Sequence, residues 1–392
     1  MWRDIEAASE DAILGLTEAF KKDSRAFKVN LGVGVYQDSA GRTPILSSVQ
    51  SAEKIIFATE ITKNYLPIAG AAEYDCAVQR LIFGAENSRA ATVHTPGGTG
   101  ALRLAAELLT RFTGKTIWVS TPTWANHHNV FQSAGLTVKE YPYYNPDTKA
   151  LDENGFFAAL EKISAGDSVL LHACCHNPTG VDLTPAQWDR VAGIAKANGW
   201  TPLIDFAYQG FGDGLEADRI GVEKLLAAGI ELLVASSFSK NFGLYRDRVG
   251  ALTAVATAPA DAEIALSYMK AQARVLYSNP PAHGGMIVST IMGSPEFTKL
   301  WRAELDGMRC RMAEARATLA AGLQERGVKM DCSFMTRQKG MFSFSGLNKK
   351  QVEFLREEKA IYIVGSGRIN VAGLTPANIS YVCDAVAEAF AM

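Results

Sequence analysis

Short apolar runs rich in β-branched residues alternate along the chain with segments of helical period. "ATVHT" (91–95), "TIWVS" (116–120), "LTVKEYPYY" (136–144), "SVLLHAC" (168–174), "TPLIDFAY" (201–208), "LLVASS" (232–237) and "VGALTAVA" (249–256) read as seven strands. Most are separated by stretches such as "GTGALRLAAELLTRF" and "TPAQWDRVAGIAKANG". The pattern predicts an α/β domain whose seven-stranded, mostly parallel sheet is sandwiched by helices and buried on both faces. The seventh run follows the sixth too closely for a helical crossover, so it is expected to be antiparallel or at an edge.

From Glu296 to Arg326, residues Phe297, Leu300, Trp301, Leu305, Met308, Met312, Leu319 and Leu323 recur at helical spacings. They predict one amphipathic helix of roughly 45 Å at 1.5 Å per residue, long enough to join two bodies. Beyond it lie strand-like fragments, "GMFSFSG" and "IYIVGSGRINVAG", then a closing helix from Pro376. The expected organisation is a large domain at 46–300 and a smaller α+β domain at 301–392. An N-terminal segment, 1–45, joins the smaller domain, and the helix at about 296–326 links the two.

Composition narrows the function classes. At 392 residues the chain can bury about three quarters of its unfolded surface, enough for an enclosed site. Charged residues make up 20% with a formal net charge of −2 and no basic run, which argues against nucleic acid as a partner. Cys76, Cys174, Cys175, Cys310, Cys332 and Cys383 are scattered, and the opening "MWRDIEAASED" lacks the basic and apolar regions of a secretory leader. A reduced, cytoplasmic enzyme is expected. The apolar segments are of strand length, short of the roughly 20 residues that span a bilayer.

Ligands of parallel sheets gather outside the carboxyl ends of the strands, so polar residues there are the candidate site. Gly97, Gly98, Thr99 and Gly100 open a helix whose free N–H groups suit a phosphate. "CCHNPTG" supplies Asn177, "DFAY" supplies Asp205 and Tyr208, and "SSFSK" supplies Ser237, Ser239 and Lys240, with Arg248 eight residues on. Taken singly, each has an ordinary use: glycine in a tight turn, aspartate as a turn former, lysine solvated in a loop. Their convergence at neighbouring strand ends points to a phosphate-bearing ligand handled by a lysine and a carboxylate. A nucleotide-binding or purely structural α/β protein would explain the sheet and the glycines, but not these residues, and no GxGxxG follows a strand. "GKT" at 114–116 is not a P-loop, because the position of its first glycine is Leu109. "HACCH", His172 to His176, places ligand-type residues on strand positions that face opposite ways, with no partner CxxC, so no metal site is expected.

"NYLPIAG", "TPGGTGAL", "PTWANH", "CCHNPTG", "DFAYQGF", "SSFSKNFGLYRDRVG", "YSNPPAHG", "GMFSFSGL" and "SGRINVAG" resemble, in order and from end to end, the motif series of the aspartate/aromatic aminotransferase family. These are fold type I pyridoxal-phosphate enzymes. The resemblance implies that Lys240 holds pyridoxal 5'-phosphate covalently through its ε-amine and, once released by the incoming amino acid, shuttles a proton. It implies that Asp205 pairs with the protonated pyridine nitrogen, with His127 hydrogen-bonded behind it after the "PTWANH" strand. Tyr208 and Asn177 would hydrogen-bond the phenolic oxygen, and Trp124 would stack on the ring. Gly98, Thr99, Ser237, Ser239 and Arg248 would hold the phosphate, joined by Tyr65 from a second subunit.

For the substrate, Arg368 in "SGRINVAG" matches the clamp for the α-carboxylate. Arg274 matches the arginine that reaches from the other subunit to a side-chain carboxylate, and Gly34 joins the substrate-binding set. Without the motifs around them, both arginines would read as members of surface ion pairs. A twofold homodimer with shared active sites is thereby implied. The implied activity moves an amino group between L-aspartate and 2-oxoglutarate by ping-pong chemistry, giving oxaloacetate and L-glutamate. Asn64, Thr99 and Asn279 look like the aspartate form. Gln37 stands where aspartate enzymes usually carry lysine, and "QGFGDGLEAD" is similar to aromatic-active relatives, so transamination of tyrosine and phenylalanine is the alternative. The resemblance also implies cis peptides at Thr121–Pro122 and Asn177–Pro178.

Overall fold

All seven runs form one sheet, and their ends differ from the sequence reading where the chain turns to present polar residues. The strands are β1 (Ala90–Pro96), β2 (Thr116–Thr121), β3 (Thr137–Pro142), β4 (Ser168–His172), β5 (Thr201–Phe206), β6 (Leu232–Ser237) and β7 (Val249–Val255). β4 stops at His172 and β5 at Phe206, two residues short of the apolar text, because the backbone there leaves the ladder. The computed structural model describes every residue except 1, 4 and 7–11. Part of the opening stretch read as lacking a leader, and of the 1–45 segment, therefore lies outside the described residues.

The sheet order is β1-β7-β6-β5-β4-β2-β3. Only β7 runs against its neighbours, antiparallel to both β1 and β6, while the remaining pairs are parallel. The expectation of an antiparallel strand holds, but not at an edge. Every residue of β7 is buried, and both of its ladders are occupied, so its apolar run is satisfied inside the sheet. The exposed edge is β3, where Lys139 and Glu140 face solvent, a polarity that discourages further pairing.

Helix α1 (Gly97–Phe112) buries Ala101, Leu102, Leu104, Ala105, Leu108 and Leu109, the 3.6-residue stripe that packs on the sheet. Helix α2 (Asn126–Ser133) and helix α3 (Pro259–Leu276) flank the same core cluster, to which they contribute Val130, Phe131, Met269 and Ala273. The long helix α4 (Pro295–Glu325) has 31 residues. Its Trp301, Leu305, Met308, Met312, Leu319 and Leu323 are buried, whereas Leu300 is 38% exposed and lies off the stripe. Trp301 stacks on Phe242 at 4.3 Å and donates its Nε1–H to the Asn241 carbonyl at 2.9 Å.

The chain divides into two units. The larger comprises Thr43–Arg311 and Gln338–Gly340; the smaller comprises Met1–Arg42, Met312–Arg337 and Met341–Met392. The smaller unit contains two short ladders, Val29–Asn30 parallel to Ile361–Tyr362 and Phe342–Phe344 antiparallel to Arg368–Asn370. Its last helix runs Ile379–Ala391 and not from Pro376. Asn378 Oδ1 accepts the Thr375 N–H at 2.8 Å and folds the intervening residues into a turn. Among the described residues, no helix is long and apolar enough to cross a membrane.

Candidate active site

The carboxyl ends of β1, β4, β5 and β6 and the start of β7 carry most of the candidate residues of the larger unit. Register brings them together: Pro96 pairs with Val249, Ser237 with Gly250, and Asp205 with His172 and Ala235.

At one end lies an anion cradle. Gly97 has φ +77° and Arg248 has φ +55°, so the chain leaves β1 and enters β7 on left-handed backbone. A Cβ on Gly97 would lie 2.6 Å from Arg248 Nη2, and one on Gly98 would lie 2.9 Å from Ser237 Cβ. The guanidinium and the serine thus press directly on the first turn of α1, at positions that only glycine leaves open. No side chain caps that turn, and its N–H groups and positive dipole end are available to an anion. Ser237 Oγ donates to Ser239 Oγ at 3.3 Å, and Arg248 Nη1 donates to the Tyr245 carbonyl at 2.9 Å. Thr99 is part-exposed in the same turn. Three hydroxyl residues, a guanidinium and a helix N-terminus form a donor set that fits a phosphate.

Lys240 follows this cradle. It is half-buried, with Nζ 5.0 Å from the Tyr208 ring centroid. Burial lowers its pKa from the ordinary lysine value; the Asp205 carboxylate opposes that shift, and Arg248 reinforces it. Asp205 sits near the end of β5. Burial would raise its carboxyl, but the His127 hydrogen bond, with the charges of His127, His172 and Lys240, outweighs this and holds it below the usual carboxylate value.

His127 is the second residue of α2, so the end of "PTWANH" is helical and not a strand. Its Nε2 is 3.0 Å from Asp205 Oδ2 and its Nδ1 is 2.8 Å from Thr123 Oγ1. An ionised Asp205 can only accept, so Nε2 carries the proton. Trp124 packs edge-on to His127 with centroids 5.2 Å apart. Asn177 is buried, and the peptide bonds Thr121–Pro122 and Asn177–Pro178 are cis.

Two groups at this site carry no role in the motif series: Thr123, and His172, which the sequence offers only as a ligand type in "HACCH". Thr123, four residues before His127, orients the imidazole, and the i, i+4 spacing is the signal that could have found it. His172 is buried beside Asp205 with neither ring nitrogen hydrogen-bonded, and burial lowers its pKa to about 4. His127, His172 and Asp205 offer ligand-type atoms within 4.8 Å of one another. Strand alternation does not govern "HACCH", because β4 ends at His172. The chain then turns and brings the His172 and His176 rings to 4.3 Å.

The remaining candidates lie elsewhere in their units. Tyr65 is 90% exposed. Arg274, in the last turn of α3, is exposed and donates to Ser278 Oγ. Asn279 ties the end of that helix to the segment of Tyr65 by donating to the Leu66 carbonyl at 2.7 Å. In the smaller unit Arg368 is buried, donates to the Gly32 carbonyl at 2.8 Å, and lies 4.1 Å from the Phe342 ring centroid. A Cβ on Gly34 would come within 3.2 Å of the same ring, so Gly34, Phe342 and Arg368 share one neighbourhood.

Residues 26–386 match the family described as Aminotransferase class I and II. A protein of Escherichia coli (strain K12) named aspartate aminotransferase is 50% identical over 392 residues, covering 98% of this chain and 99% of that one. An aromatic-amino-acid aminotransferase of Pseudomonas aeruginosa is 46% identical and covers 96% of each chain. The crystal structure of the aromatic-amino-acid aminotransferase from Burkholderia pseudomallei, covalently bound to pyridoxal phosphate, aligns with a TM-score of 0.97 at 44% identity, covering 100% of this chain and 99% of that one. The match runs along essentially the whole length, and the chain belongs to the class I and II aminotransferases.

Proposed function

We propose that this chain binds pyridoxal phosphate at Lys240 and transfers the amino group between L-aspartate and 2-oxoglutarate, giving oxaloacetate and L-glutamate. The observation that carries the chemistry is a single half-buried lysine with a depressed pKa, set between the Asp205–His127 pair and the glycine-lined anion cradle. When bound, the cofactor supplies an electron-withdrawing ring that stabilises negative charge at the α-carbon of the amino acid.

The side chains divide the remaining work. Lys240 Nζ takes the α-carbon proton and releases it again as the amino group changes hands; a lowered pKa brings the free amine closer to neutral pH. Asp205, kept ionised and oriented by His127, suits a positively charged ring nitrogen. Gly98, Thr99, Ser237, Ser239 and Arg248 hold the phosphate, Trp124 covers a ring face, and Tyr208 and Asn177 donate to the phenolic oxygen. Arg368, with Gly34 beside it, takes the α-carboxylate.

Arg274 takes the distal carboxylate and Tyr65 the phosphate, both across a twofold dimer. The exposure of Tyr65, together with that of Phe57 (90%) and Ile61 (96%), supports such an interface, since apolar side chains seldom cluster at a free surface. Light scattering is expected to give twice the chain mass. Six free cysteines support a reducing, cytoplasmic setting.

Aspartate is favoured by the 50% identical relatives of that name and by Asn64, Thr99 and Asn279. Gln37 and the aromatic aminotransferases among the relatives favour the second reading, phenylalanine and tyrosine. Steady-state kcat/KM for the three amino acids against 2-oxoglutarate tests the choice. Aspartate is expected to lead, and an aromatic substrate in first place would replace the first reading with the second.

A further inference from the structure

Left-handed backbone at a residue other than glycine marks a local constraint. Cys175 has φ +52° in the turn that follows β4 and leads into Asn177. Such a residue lets successive backbone N–H groups converge on one point, a concavity suited to an anion. The chain supplies that anion itself. Asp182 Oδ2 accepts the Cys175 N–H at 2.7 Å, and its Oδ1 accepts the His176 N–H at 2.8 Å.

The rest of the turn is held just as firmly. His176 Nδ1 bonds Thr179 Oγ1 at 2.8 Å and its Nε2 bonds Ser120 Oγ at 2.9 Å, while its ring stacks on Tyr143 at 4.0 Å. From the other side, a Cβ on Gly340 would come within 2.4 Å of Cys175 Cβ, so the turn has little room to shift. Asn177 is the next residue along.

We propose that Asp182 is a positioning residue for transamination: its carboxylate clamps the Cys175–His176 turn and thereby aims Asn177 at the phenolic oxygen of the cofactor. The proposal rests on the role given to Asn177 above. Only a carboxylate meets the geometry, because each oxygen accepts one N–H. An amide would offer one acceptor and set its own N–H₂ against the second backbone donor. Burial raises the Asp182 carboxyl to about 6; the two N–H groups oppose this, and the carboxylates of Asp218 and Asp213 add to it. At neutral pH the group is an anion that accepts on both sides.

The test uses the holoenzyme in four forms: wild type, Asn177→Ala, Asp182→Asn and the double variant. The readouts are the pH midpoint of the visible absorbance of the bound cofactor, kcat/KM, and hydrogen exchange of the 173–180 peptide. Asn177→Ala removes a donor to the phenolic oxygen and is expected to raise the midpoint. Asp182→Asn is expected to raise it in the same direction by a smaller step, to lower kcat/KM about tenfold and to speed exchange in the peptide. The double variant is expected to match Asn177→Ala in midpoint, since both changes act through one side chain. Asp182→Glu, which keeps both acceptors, is expected to stay near the wild-type midpoint, and Asp182→Ser replaces Asp182→Asn if the latter does not fold.

A wild-type midpoint and wild-type exchange in Asp182→Asn would overturn the clamp, as would an additive double variant. An unmoved midpoint in Asn177→Ala would instead overturn the role given to Asn177, and the exchange readout would still decide whether Asp182 holds the turn.

Discussion

Removing the Lys240 amine should end turnover without unfolding the chain, because the cradle of Gly97, Gly98, Ser237 and Arg248 does not depend on it. General acid–base work alone contributes roughly 10² to 10⁴ in rate. Lys240→Ala is therefore expected to keep its far-ultraviolet circular dichroism and to lose at least about 99% of its activity; a variant above about a tenth of wild type would refute the assignment. Arg274 tests the substrate. Truncating one member of a buried charged pair costs about 2 to 5 kcal/mol, which is roughly 30-fold to several thousand-fold. Arg274→Ala is expected to lower kcat/KM for aspartate by that factor while phenylalanine changes far less. Single-turnover measurements keep the distal carboxylate of 2-oxoglutarate out of the comparison. Equal losses for both amino acids would mean that Arg274 supports the fold or the dimer instead.

The elements show why the candidate residues meet where they do. β7 enters between β1 and β6 with Gly250 against the opening of α1, and a Cβ there would lie 2.5 Å from Gly97 C and 2.7 Å from Ser236 O. Both obstacles are backbone, so neither can turn aside as a side chain would. Gly250→Ala is expected to lower stability by about 3 kcal/mol, the upper end for overpacking, and to weaken cofactor binding through the displaced cradle. Urea unfolding and cofactor titration check the two effects; an alanine variant as stable as wild type would show that β7 can shift. The apolar runs disclosed these strands but not their ends, because a fully buried strand carries no alternation to mark where pairing stops. The sequence presents His172 only as a ligand type in "HACCH"; its place beside Asp205 comes from register between two strands far apart in sequence.

At the scale of the whole molecule, stability should carry a pH signature from Asp75, in the helix Ala72–Phe83 of the larger unit. Its Oδ1 is buried without a hydrogen bond, and burial, with a contribution from Glu73, raises its carboxyl to about 8. The unfolded value is about 3.9. Between these values the folded chain binds more protons than the unfolded one, so this residue makes stability fall as pH rises from about 4 to about 8. Asp75→Asn removes the penalty. The variant is expected to melt above wild type at pH 8.5, with a gap that narrows towards pH 5; scanning calorimetry at the two values measures it. A gap that is constant with pH would mean that Asp75 titrates normally.

The sequence by itself determined the seven strands of the large sheet, the length of α4, and a motif order that resembles one enzyme family from end to end. These are properties of local spacing and of residue identity, and they suffice to name Lys240, Asp205, Asn177 and Arg248 as candidates. Only the tertiary structure decided that β7 lies inside the sheet, that His172 joins Asp205, and that Asp182 grips the turn before Asn177. The physical reason is that strand order, register and the direction of a turn come from contacts between residues distant along the chain. Hydrophobic periodicity reports which face of each element is buried, and it is silent about which element lies against that face.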